Sequence, residues 1–71
     1  SIKEVIVNAK DYGIIDIQSN RVSWKRGNEK ILISHVPVGI KPIEHFTDFC
    51  LDGDGELVLN EMKKQLDRFN S

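Results

Sequence analysis

Between Ile14 and Val36 apolar and polar residues alternate in short runs separated by turn residues. Ile14-Ile15-Asp16-Ile17-Gln18 predicts a strand, and Ser19-Asn20 predicts a turn. Arg21-Val22-Ser23-Trp24-Lys25 has period two, which predicts Val22 and Trp24 on one face and Arg21, Ser23 and Lys25 on the other. Arg26-Gly27-Asn28-Glu29 predicts a second turn, and Lys30 to Val36 a third strand. Together these make an antiparallel meander. Pro37, Gly39 and Pro42 then interrupt regular structure. Pro42 suits the first turn of a helix that would carry Ile43, Phe46 and Phe49.

Two signals compete at the N-terminus. Ser1 and Glu4 have the spacing of a capping box, and Ile2, Val5, Ile6 and Ala9 share one helical face. Val5-Ile6-Val7 is a β-branched run, and on that ground the segment is predicted as a strand ending at Tyr12-Gly13.

The C-terminal part carries the densest pattern. Phe46 and Phe49 are three apart, Asp52-Gly53-Asp54-Gly55 follows, then Leu57, Glu61-Met62 and Leu66. Over residues 42–69 this order resembles an EF-hand, the helix–loop–helix calcium site of the EF-hand superfamily. The resemblance implies a calcium site made by Asp52, Asp54, the backbone carbonyl of Glu56 and the side chain of Glu61. It implies that Gly55 takes a positive φ at the loop's reversal and that Leu57 points into the core. Cys50 stands where the family's first aspartate ligand would be, and Val58 where a polar residue is usual. With three acidic side chains left, the implied dissociation constant is weak, roughly 10⁻⁴ to 10⁻³ M. An unpaired EF-hand would tend to bury its apolar face in a second copy, so the resemblance also implies a homodimer.

The same residues carry another reading. Phe49-Cys50-Leu51 and Leu57-Val58-Leu59 are apolar runs around Asp-Gly-Asp-Gly, the layout of a β-hairpin, after which Asn60 would cap a helix. Under either reading Met62, Leu66 and Phe69 form a helical stripe, expected to pack on the sheet face of Val22 and Trp24. The predicted fold class is therefore α+β. A small antiparallel β-meander precedes an EF-hand-like helix–loop–helix or, alternatively, a β-hairpin and one C-terminal helix.

Seventy-one residues predict a single domain, with 1–41 mainly β and 42–71 the EF-hand-like or hairpin–helix segment. A chain of this length buries only about 60% of its unfolded surface, so the core is small. The chain opens on Ser1, as expected after removal of a methionine or excision from something longer. No signal-peptide layout and no run of about 18 apolar residues is present, so no membrane association is expected. A lone cysteine, Cys50, fits a reducing compartment, and an intracellular, cytoplasmic location is expected. Net charge is −1, with residues 1–40 at +2 and residues 41–71 at −3.

Trp24 among Arg21, Lys25, Arg26 and Lys30 has the look of a nucleic-acid surface, but alternation favours Trp24 as a core residue and a nucleic-acid partner is not expected. Cys50 with His35 or His45 is thin as a nucleophile–base pair, and no carboxylate pair or phosphate loop presents itself. The chain is accordingly expected not to be an enzyme. The expected function is a small non-catalytic protein-interaction or regulatory module with a degenerate calcium site. The alternative is a metal-free, phage-like or regulatory inhibitor or adaptor that binds its target through a sheet edge or helix face. A nucleic-acid module using the Arg21–Lys30 hairpin is the weaker third.

Overall fold

The computed structural model describes residues 1–70. Helix α1 spans Ile2–Asp11, and strands β1, β2 and β3 span Ile15–Ile17, Arg21–Arg26 and Glu29–His35. Helices α2 and α3 span Pro42–Phe49 and Gly53–Asn70. The chain is thus an α+β domain with a three-stranded antiparallel sheet in the order β1-β2-β3.

The expected N-terminal strand is a helix. The Ser1 side chain accepts from the Glu4 backbone N–H and Glu4 reaches back to the cap, so the capping box is complete. The helix buries Ile6 and Ala9 on one face, which offsets the modest cost of β-branched residues. Its far end closes with Gly13 at φ 75°, where Ile14 N–H bonds Ala9 C=O at 2.8 Å and Gly13 N–H bonds Lys10 C=O at 3.0 Å. Only glycine takes that left-handed turn without strain, so the chain enters β1 directly.

The expected antiparallel meander forms. Ile15 pairs with Trp24 on β2, and Trp24 with Ile31 on β3. Asp16 pairs with Ser23, and Ser23 with Leu32. A bulge at Val22/Ser23 leaves Ile33 as the extra residue on β3. Pleating therefore puts Ile15, Ile17, Val22, Trp24 and Ile31 on one face, and Asp16, Ser23, Lys25, Lys30 and Leu32 on the other. Helix α1 packs on β1 and α2 on β2, so the first face is the covered one; no helix packs on the second, where Lys25, Lys30 and Leu32 are exposed and the small Ser23 is buried among its neighbours.

Helix α3 does not take the expected place on the sheet; it packs mainly along α1. Gly55, Leu59, Met62 and Leu66 form its buried stripe. Phe69 lies beyond that stripe, exposed, with its ring 5.0 Å from that of Tyr12. The core joins Ile6 and Ala9 of α1, Ile15 and Val22 of the sheet, Phe46 and Cys50 from the α2 side, and Leu59, Met62 and Leu66 of α3. The rings of Phe46 and Phe49 stack at 5.5 Å, as their spacing predicts. Trp24 is packed against this core but only half-buried.

Candidate functional site

The residues expected to hold calcium do not form a loop. Asp52 lies in the short link between α2 and α3, whereas Asp54 and Glu56 sit in the first turn of α3 and Glu61 further along the same helix. Asp54 and Glu61 are seven positions apart on the helix, about 10 Å along the axis, too far for one ion. Among the described residues no three His, Cys, Asp or Glu side chains come together as a metal would require. The carboxylates have local roles instead. Asp54 and Glu56 complement the positive end of the helix dipole. Glu61 Oε2 accepts from Gln65 Nε2 at 2.9 Å, and that bond holds its carboxyl below the usual range. This donor set does not fit the implied cation.

The hairpin alternative is overturned as well. Gly53 to Asn70 is continuous helix, so Leu57-Val58-Leu59 is not a strand, and Asn60 is an interior helical residue rather than a cap. Leu57, expected to point inward, is exposed. The glycines of Asp-Gly-Asp-Gly also exchange roles. Gly53 has the positive φ, 57°, expected of Gly55. Gly55 is needed for space: a Cβ there would lie 1.7 Å from the Phe49 carbonyl oxygen. The α2 and α3 backbones approach that closely only where a side chain is missing. Cys50, at the end of α2, is fully buried, and burial pushes its thiol up to about 11.

A second region has the features of a contact surface. β3 is an edge strand of seven residues, and among the described residues no strand lies on its outer side. The Lys25 N–H bonds Ile14 C=O at 3.0 Å, so Lys25 spends its backbone on β1 rather than β3. By antiparallel alternation Trp24 and Arg26 face β3, which leaves Lys30 and Leu32 turning their N–H and C=O groups outward. Ile31 and Leu32, on opposite faces of this edge, are 47% and 46% exposed. The row Ile15, Trp24, Ile31 runs from the covered side of the sheet to this uncovered edge.

The open face beside the edge is cationic. Arg21, Lys25 and Lys30 are exposed there. Asp16 is the carboxylate among them; Gln18 Nε2 donates to its Oδ2 at 3.0 Å and Lys30 Nζ lies 3.3 Å away, contacts that hold its carboxyl low. Arg26 is on the other face, its guanidinium 5.8 Å from the centre of the Trp24 ring. The tryptophan thus has a cation over it already, a poor arrangement for stacking a base.

Sequence reasoning gave the β3 edge no site residues. Its signal is the run Ile31-Leu32-Ile33, since a strand cannot turn three consecutive apolar side chains to one face. No protein family, curated protein or solved structure matches the chain. Among the described residues no helix is long and apolar enough to cross a membrane.

Proposed function

We propose that this domain is a non-catalytic protein-interaction module that takes up an extended segment of a partner protein along the outer edge of β3. The observation that carries the reading is the outward-facing backbone of Lys30 and Leu32, flanked by the half-exposed Ile31 and Leu32 side chains. An unpaired edge is a template for another strand: backbone hydrogen bonds supply affinity and alternate side chains supply selectivity. Lys30 on the edge and the bulge at Ile33 both discourage indiscriminate pairing, which fits a contact restricted to Glu29–Leu32. The reading is metal-free, because gathering Asp54 and Glu61 around one ion would require the first turns of α3 to unwind.

A displayed library of random short peptides tests it. Selected ligands are expected to shift the amide resonances of Lys30 and Leu32, with or without millimolar calcium. Leu32→Pro removes an outward N–H while sparing the β2 ladder, so it should abolish binding and leave the fold intact. Ligands that map to Leu57 or Phe69 on α3 instead, and bind Leu32→Pro unchanged, would sink the reading.

A further inference from the structure

We infer that the segment added along β3 alternates acidic and apolar residues, with its carboxylates on the open face of the sheet and its apolar side chains on the covered face. This rests on the strand-addition reading and names the partner's chemistry. Side chains on neighbouring strands meet in opposed and diagonal pairs, where opposite charges stabilise and like charges destabilise. On the open face an added strand meets Lys30 and Leu32 of β3, with Lys25 directly behind Lys30 and Arg21 further along β2. His35 closes the same face in register with Arg21. The opposing carboxylate, Asp16, belongs to β1, two strand spacings from β3. An exposed pair of that kind contributes little. A carboxylate on an added strand would start one spacing away, about 5 Å, and so meet Lys30 more directly.

The covered face asks for something different. There Glu29 stands in register with Arg26, so the two charges offset one another, and Ile31 is the apolar surface left open at the edge. An apolar residue beside Ile31 would extend the row that begins at the fully buried Ile15. One alternating strand therefore complements both faces at once, while a basic one would place like charges beside Lys30 and Lys25. A nucleic acid would meet the same cations but leave Ile31 and the outward amides unused, which is why a peptide is favoured.

The test uses two capped hexapeptides, one alternating Glu and Val and the other alternating Lys and Val. Each is titrated into the whole domain and followed through the Lys30 and Leu32 amides. The Glu–Val peptide is expected to bind about tenfold more tightly at low salt. The preference should shrink as salt is raised and disappear in the doubly substituted Lys25→Glu/Lys30→Glu chain. Equal binding of both peptides would overturn the charge selection while leaving strand addition standing. If neither peptide shifts those amides, strand addition itself fails and the inference falls with it. A short oligothymidylate that displaces the Glu–Val peptide and perturbs Arg21 and Lys25 more strongly would overturn the peptide assignment.

Discussion

Ile15 and Ile31 occupy two ends of one row across the sheet, joined through Trp24, yet Ile15 is 1% exposed and Ile31 is 47% exposed. Residue type, strand conformation and sheet face are the same. What differs is cover. Helix α1 lies against β1 and α2 against β2, and β3 extends beyond them. Trp24, between the two, is half-buried. Exposure in this sheet therefore follows from where the helices stop, and the expectation of Trp24 as a core residue holds only in part.

The largest expected effect comes from disturbing the cover. Gly55→Ala puts a methyl group where the Phe49 carbonyl oxygen would be 1.7 Å away, and both partners are backbone, so α2 and α3 must separate. A loss of about 3 kcal/mol or more is expected in urea unfolding. A near-neutral Gly55→Ala would mean that the two helices are not in close contact and that the covered side is looser than described.

The row itself supplies the next comparison. Ile15→Ala should cost about 2–5 kcal/mol, as a buried large-to-small change does, whereas the identical deletion Ile31→Ala should cost under about 1 kcal/mol. Equal losses would show that β3 is covered after all, by a second copy or another partner. Sedimentation of both variants would separate those outcomes.

A pH dependence confined to the covered side sharpens the comparison further. The Cys50 thiol has an ordinary value of 9.0 and is raised to about 11 by burial. Between those values the unfolded chain releases the proton and the folded chain keeps it. Its contribution is therefore complete below pH 9.0 and is lost as pH rises towards about 11. Comparing urea midpoints of the parent and Cys50→Ala chains across that range should show a shallower decline in the variant. Parallel profiles would place the thiol in contact with water.

Local chemistry is what the sequence by itself determined. The period-two alternation of Arg21 to Lys25 and the proline start of α2 appear in the structure as read, and the turn read over Arg26 to Glu29 is shortened to Gly27-Asn28, its flanking residues joining the strands. The capping box of Ser1 and Glu4 is equally legible, and it prevails over the strand preference of the β-branched run beside it. A propensity difference of a few tenths of a kcal/mol per residue yields to a cap and a buried face. The C-terminal motif failed for a different reason. Asp52, Asp54, Gly55 and Glu61 have the spacing of a calcium loop, and that spacing is equally compatible with an acidic first helical turn followed by the stripe Gly55, Leu59, Met62 and Leu66. The choice was made by packing: the first turn of α3 meets the Phe49 backbone at a point where only glycine leaves room, and the stripe behind it is buried. Tertiary structure likewise decided which strand lies at the open edge. Strand patterns identify faces, and only the placement of α1 and α2 leaves Ile31 in water while Ile15 is sealed from it.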